Sequence, residues 1–227
     1  MNRILSRLAA LAIFLACITQ PSCAADTNAV IPYKSLDDLC QFIASVDPAK
    51  LDVRVFVSSN NKAVRPADIS LTVQSAARGM IPVQVGTNGQ VLKFPHEKEL
   101  VRENPSVIAN QPKGTLNLRV SMQLPQPDEL SFRYNRLGDG VAEVNKAIKA
   151  KAGMLSWLAP KAEGVIFFFP KESAGKAKVE VASISHKSEF TADAKGEVKL
   201  KMDKALLAEN PEVRLSERPH GIVPNIE

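Results

Sequence analysis

The sequence predicts an α+β, mostly β fold: a tandem duplication of a small antiparallel β-sandwich-like domain, each copy preceded by an amphipathic helix. Three observations lead to this prediction: an internal repeat, short segments that alternate apolar and polar residues, and glycine-containing turns between them. Of the 227 residues, 45% are hydrophobic and 23% are charged. This composition excludes an intrinsically disordered chain and a multi-span membrane protein.

Residues 1–25 have the pattern of a cleavable secretory signal peptide. Two arginines give a basic start, and an apolar run from Leu8 to Ile18 follows. The run is too short to span a bilayer as a helix. We therefore expect cleavage near Ala24 or Ala25 and a periplasmic or secreted bacterial protein.

A lipid anchor is the alternative to simple cleavage. Lipid-modified cysteines have an aliphatic residue three positions earlier and a small residue just before them. Cys17 has Phe14 and Ala16 at those positions, whereas Cys23 has Gln20 at the first of them, which does not fit. Lipidation at Cys17, and with it a role as an outer-membrane accessory protein, remains the less favoured hypothesis.

Charge and cysteine content narrow the classes of partner. Loss of the two leader arginines reduces the 29 basic residues to 27, against 24 acidic ones, a net charge of +3. This small excess indicates no nucleic-acid partner.

Cys40 is the cysteine that remains after loss of the leader, so no internal disulfide is expected. It lies on the apolar face of a predicted helix and is predicted to be buried and unpaired.

The internal repeat covers most of the chain after the leader. Residues 40–57 align without a gap with residues 152–169, which pairs Cys40 with Ala152. Residues 86–107 match residues 192–213 with gaps at turns, and both segments contain the sequence Glu-Asn-Pro. We expect residues 35–110 and 141–216 to superpose as the same fold.

Each copy begins with a predicted helix. Apolar residues recur at spacings of three and four over 36–46 and again over 141–155. Ser35 is the expected cap of the first helix and Asp139 that of the second. The Gly-Asp-Gly segment at 138–140 is interpreted as a turn that enters the second helix.

Strands follow in each copy, and a short helix ending at Asn-Pro precedes the last of them. The predicted strands are Val53–Ser58, Ile69–Gln74, Met80–Val85, Gln90–Phe94, Ser106–Asn110, Val165–Phe169, Lys178–Ser183, Ser188–Ala192, Glu197–Met202 and Glu212–Ser216. The repeats span 26–113 and 136–227. Residues 114–135 between them are a hairpin or two edge strands, and the tail after Glu217 is expected to be irregular.

A repeated β-rich unit with this strand spacing resembles the transthyretin-like or immunoglobulin-like sandwich class. The resemblance is architectural and implies no activity, because one fold serves many functions.

No motif of a familiar enzyme stands out. There is no G-x-S-x-G, and the S-x-x-K match at 59–62 follows a strand and is predicted to be a turn. The three histidines lie far apart in sequence, His96 being interpreted as a surface residue, so no metal site or cofactor is expected. The adjacent acids Asp37 and Asp38 are expected on the solvent side of the first helix.

These observations favour an exported envelope protein of two similar domains that acts by binding or scaffolding and not as an enzyme. The alternative is a hydrolase or transferase with a site at the inter-domain seam. The expected partner is an envelope protein or a small ligand. Candidate binding residues are Ile166, Phe168 and Trp157. The strand around Ile166 is apolar on both faces, so we expect it to be covered by the helix, the hairpin, the other copy or a partner.

Overall fold

A computed structural model describes residues 28–152, 160–183 and 187–226. The described chain is mostly β, with several antiparallel sheets and four α-helices. It divides into two compact units. The first holds the described residues up to Ser45 together with Arg54–Ser121, and the second holds Val46–Val53 and the described residues from Met122 onward.

The first half of the described chain, residues 28–123, contains seven strands and two helices. They are β1 (Asn28–Pro32), α1 (Tyr33–Ala44), β2 (Asp52–Ser59), β3 (Leu71–Ser75), β4 (Gly79–Val85), β5 (Val91–Lys93), α2 (Lys98–Glu103), β6 (Ser106–Pro112) and β7 (Leu116–Gln123). Five strands form a sheet in the order β1-β6-β3-β4-β5, and β2 pairs with β7. The apolar core includes Leu36, Val57, Leu71, Val73, Leu100 and Val107.

The second half, residues 131–226, also contains seven strands and two helices among its described residues. They are β8 (Ser131–Arg133), α3 (Asn135–Ala152), β9 (Ala162–Phe168), β10 (Lys178–Ala182), β11 (Lys187–Thr191), β12 (Glu197–Lys201), α4 (Lys204–Glu209), β13 (Glu212–Leu215) and β14 (Gly221–Ile226). Its sheets have the orders β11-β10-β13-β8 and β12-β9-β14. The order β8-β13-β10-β11 matches β1-β6-β3-β4 strand for strand.

A tyrosine precedes or begins the long helix in each half and makes similar hydrogen bonds. The Tyr33 hydroxyl donates to the Pro95 carbonyl at 2.7 Å, and the Tyr134 hydroxyl donates to the Lys201 carbonyl at 3.2 Å. Counted from these tyrosines, Cys40 corresponds to Val141. The predicted match to Ala152 instead counts from the strand that follows, where Val57 and Phe169 donate to the carbonyls of Gly89 and Gly196. The two counts differ because α3 is longer than α1.

The short helix of each half ends on an asparagine in the left-handed conformation. Asn104 has φ 48° and Asn210 has φ 49°. The Asn104 Oδ1 accepts from the Lys34 backbone N–H at 3.0 Å, and the Asn210 Oδ1 accepts from that of Asn135 at 2.9 Å. The Asn-Pro pair thus ends one helix and anchors the start of another, a role that the sequence pattern alone did not reveal.

Both helix starts differ from the prediction. The helices α1 and α3 begin at Tyr33 and Asn135, so Ser35 and Asp139 lie inside them and cap neither. The 138–140 segment is likewise helical and is not an entry turn. Glycine at 138 has a packing reason, because a Cβ there would lie 2.3 Å from Leu207 Cδ2.

The predicted linker and tail are also resolved into strands. The linker forms β7 and β8, which pair with β2 and β13 rather than with each other. The tail prediction is wrong, because Gly221–Ile226 forms β14 along β9. Its Pro224 is compatible with a strand at the edge of a sheet, where a missing N–H is tolerated.

The leader, its predicted cleavage site and Cys17 lie outside the described residues. Within the described residues, no helix has the length and apolar character needed to cross a membrane.

Candidate functional site

The outer face of the five-stranded sheet carries two complete rows of side chains. Successive residues of a strand point to opposite faces, so the strands that contribute Leu71, Val73 and Val107 to the core direct the alternate residues outward. Each row crosses β1, β6, β3 and β4 in register. The first is Val30, Ile108, Thr72 and Pro82, and the second is Pro32, Ser106, Gln74 and Met80.

These eight residues, called the uncharged face below, include no acidic or basic side chain. Val30 is 56% exposed and Met80 is 59% exposed. Pro32 and Pro82 are exposed as well, and Ile108 is half-buried. These four strands therefore present a contiguous patch with several apolar side chains and no charge, and Lys93 of β5 lies opposite Gln84 at its edge.

The same face of the second half has the opposite character. Its two rows cross β8, β13, β10 and β11 and are called the charged face. The first is Ser131, Arg214, Glu180 and Glu189, and the second is Arg133, Glu212, Ala182 and Lys187. Six of these eight residues are charged.

Ion pairs cross the charged face. Lys187 Nζ lies 2.8 Å from a carboxylate oxygen of Glu180, and Arg214 lies 2.6 Å from Glu212. Such a polar outer face is what a one-sided antiparallel sheet normally shows to water. The charged face of the second half thus shows what a water-exposed outer face of these strands contains. The uncharged face differs from it because it has no charged side chain.

A second feature of the first half is a hydrogen-bonded pair of an acid and a histidine. Asp37 is only 4% exposed, and its Oδ1 lies 2.7 Å from Nδ1 of His96. The prediction that Asp37 lies on the solvent side is wrong, because the imidazole satisfies its carboxylate beneath the surface. The His96 side chain is 48% exposed, so it lies at the surface as expected but is not free.

Tyr33 borders this pair. Burial raises the pKa of Tyr33 to about 12, and the negative charge of Asp37 adds to the shift. At the corresponding positions of the second half, Gly138 replaces Asp37 and Met202 replaces His96. The polar pair is therefore a property of the first half alone.

Cys40 lies one helical turn beyond Asp37 and is half-buried with a free thiol. The prediction of an unpaired cysteine holds, but burial is only partial. Burial and, to a smaller extent, the negative charge of Asp37 together raise the pKa of the Cys40 thiol to about 11. A protonated thiol at neutral pH is a poor nucleophile.

The remaining polar candidates are structural. The Ser59 Oγ accepts from the Asn61 backbone N–H at 3.2 Å, which makes the S-x-x-K segment a turn, as predicted. Within residues 28–152, 160–183 and 187–226 there is no group of three side chains placed to hold a metal ion. His186 lies outside the described residues, and His220 is exposed.

Ile166 and Phe168, the two predicted binding residues that the structure describes, do not form an exposed patch. Ile166 is 7% exposed, in the middle strand of the sheet β12-β9-β14, and Phe168 is half-buried. The expected cover over Ile166 therefore exists within the chain. Trp157 lies outside the described residues.

Sequence reasoning missed the uncharged face although its signal is in the sequence. Alternation identifies the inward residues of each strand, whereas the uncharged face consists of outward residues. A comparison of the outward positions of the two halves, Thr72 with Glu180 and Ile108 with Arg214, reveals it.

Comparison with known proteins identifies a family. The model of a family described as "Protein of unknown function (DUF2987)" matches residues 30–169. The matched range contains all of the uncharged face, Asp37 and His96, whereas six residues of the charged face lie beyond it. No curated protein and no solved structure matches the chain.

Proposed function

Because the chain belongs to the DUF2987 family of proteins of unknown function, we propose its role from its surface. It binds another protein through the uncharged face and acts as a binding or scaffolding protein of the bacterial envelope. The carrying observation is the contrast between two faces of equivalent strands, one without charge and one with six charged residues.

The apolar and uncharged character of this face indicates what kind of surface the partner must present. A contiguous exposed apolar patch marks an interaction site in a soluble protein. A charged partner would have to be desolvated against Val30, Ile108 and Met80 without any compensating ion pair, which is unfavourable. The partner is therefore a protein surface that is itself apolar and uncharged.

Catalysis is the less favoured hypothesis. The polar candidates of the first half are Asp37, His96 and Cys40, and a raised thiol pKa keeps Cys40 protonated at neutral pH. The Asp37 Oδ1 lies 2.7 Å from the His96 Nδ1, and a carboxylate that orients an imidazole supplies no nucleophile by itself.

Export through the leader is part of the same proposal. The pattern of residues 1–25 supports cleavage near Ala24 or Ala25 and a periplasmic or secreted location. The mass of the protein recovered from the periplasm tests it, because cleavage and lipidation at Cys17 leave different N-termini.

A tandem duplication of a sandwich-like domain also belongs to the proposal. It is supported by the shared strand order, by the matched tyrosine bonds, and by Asn104 and Asn210, which end their helices with φ of 48° and 49°. After duplication the inner residues kept the fold, and the outer residues diverged into a binding face and a solvated face.

A photoreactive amino acid placed at Met80 tests the binding role in living cells. The matched control is the same amino acid at Lys187, the corresponding position of the charged face. We expect protein adducts from Met80 that are absent from Lys187. The adducts should disappear when Thr72→Glu and Ile108→Arg copy Glu180 and Arg214 onto the uncharged face. Equal adducts at both positions, or none at Met80, would refute the proposal.

A further inference from the structure

We propose that the occupant of the uncharged face is a second copy of this chain, joined face to face in a symmetric dimer. This inference rests on the proposed binding function and names its partner.

Symmetry explains why the face carries no charge at all. In a twofold interface the same patch is used by both copies, so residues near the axis meet their own counterparts. A lysine or glutamate there would face an identical charge in a desolvated contact. A different partner could instead supply opposite charges, as heterologous interfaces do for specificity. Eight neighbouring positions on four strands without a charge therefore favour self-pairing.

The size of the face fits a modest dimer. The whole outer face of the four strands, about 4.8 Å apart with β6 extending for roughly 23 Å, gives a projected area of about 400 Å² per copy, of which the eight residues of the uncharged face cover about 250 Å². Side chains stand up from this plane, so two copies together bury on the order of 1,000 Å², the low end of specific interfaces. We therefore expect a dimer in equilibrium with monomer.

The second half explains why association would stop at two copies. Among the described strands, the equivalent face carries Arg133, Glu180 and Arg214 with the other charges, and ion pairs already satisfy several of them. With one uncharged face among the described strands, a face-to-face pair uses that surface in both copies and leaves none for a third. The assembly is closed and does not extend into a filament.

Sedimentation velocity of the mature protein over a wide concentration range tests the inference. We expect the weight-average mass to rise from monomer toward twice that value as concentration increases. Thr72→Glu with Ile108→Arg should abolish the rise. Met80→Glu, a single change at an exposed residue, should weaken association at least tenfold. The matched control, Glu180→Gln with Arg214→Gln on the charged face, should leave association unchanged.

Thermal melting of each variant at a concentration where all are monomeric separates interface loss from misfolding. Unchanged melting with lost association supports the dimer. A wild-type protein that stays monomeric throughout, or a dimer that survives both uncharged-face variants, overturns it.

The binding role and the dimer are contradicted by different experimental results. If Met80 adducts contain a different protein and the purified chain is monomeric, the binding role stands and the dimer is wrong. If Met80 forms no adduct in cells, the binding role is wrong as well.

Discussion

Asp37 and His96 are joined by a hydrogen bond of 2.7 Å between Oδ1 and Nδ1, and the aspartate end of this bond is buried. The bond ties helix α1 to the segment that leads into α2. At the same place the second half has Gly138 and Met202 and needs no polar pair. The fold therefore accepts either a satisfied pair or no polar group at all.

Replacing one partner of this pair should cost more than replacing both. His96→Met leaves the buried Asp37 carboxylate without its imidazole, a loss of about 1–3 kcal/mol in the free energy of unfolding. Asp37→Ala added to His96→Met removes the orphaned charge and should restore part of that loss. Urea denaturation at neutral pH measures both. Strictly additive losses would contradict the assigned bond.

Alkaline pH should destabilise the protein through Tyr33. Its pKa is raised from 10.0 to about 12 in the folded state, chiefly by burial. Between these values the unfolded chain releases the phenolic proton and the folded chain keeps it, so the free energy of unfolding falls as pH rises.

Tyr33→Phe should lose less stability than wild type from pH 10 to 12, by chemical denaturation at several pH values. The pKa of Tyr134 is also raised by burial. Ultraviolet titration of the folded protein should therefore show both tyrosines ionising late. A normal titration for both would contradict their burial.

The helix-ending asparagines should tolerate glycine better than alanine. Asn210→Gly keeps the positive φ easily but removes the acceptor for the Asn135 N–H, at about 1 kcal/mol. Asn210→Ala loses the same acceptor and adds left-handed strain of about 1 kcal/mol more. Thermal unfolding ranks the two, and Asn104 should give the same order. Equal effects of glycine and alanine would argue against the left-handed conformation.

Gly89 and Gly114 have the same φ, so substitutions at the two positions distinguish the cost of backbone strain from the cost of a steric clash. Gly89 and Gly114 both have φ of 83°, but a Cβ at Gly89 would lie 2.3 Å from the Val57 carbonyl oxygen and one at Gly114 meets nothing within 4 Å. Gly114→Ala should cost about 1–2 kcal/mol for strain alone. Gly89→Ala should cost clearly more, because backbone must move. Similar melting temperatures for the two variants would show that the hairpin does not approach β2 so closely.

The Cys40 thiol should react slowly with a bulky thiol reagent at pH 8, because its pKa is raised to about 11 and the residue is half-buried. Unfolding in urea should accelerate the reaction. Asp37→Asn should also accelerate it in the folded protein, because the carboxylate charge contributes to the shift. Labelled peptides identified by mass spectrometry measure the rate at this residue. Fast labelling in the folded protein would contradict the packing of α1.

The strands were predicted well from periodicity, because a strand with one buried face has apolar and polar residues at alternate positions of the sequence. All ten strands expected in the repeats are present with ends shifted by a few residues. Two more strands, β1 and β14, were missed. The first is a short segment just after the leader, and the second contains Pro224, which sequence rules count against a strand.

Features that depend on distant partners were not predictable in this way. The burial of Asp37 depends on His96, 59 positions later in the chain. The start of α3 depends on Asn210 in the same manner, so the local cap signal at Asp139 was misleading. The lack of charge among the outward residues of the first half becomes apparent only when they are compared with the outward residues of the second half.

The shared strand order of the two halves has an evolutionary consequence. Inner residues such as Val73 and Val181 are held by the core in both halves, so they are under the same constraint. Outer residues such as Thr72 and Glu180 are free of it. Under the proposed duplication and binding role, two outer faces can therefore change independently on a common scaffold. A mutation that alters the uncharged face need not affect the charged face.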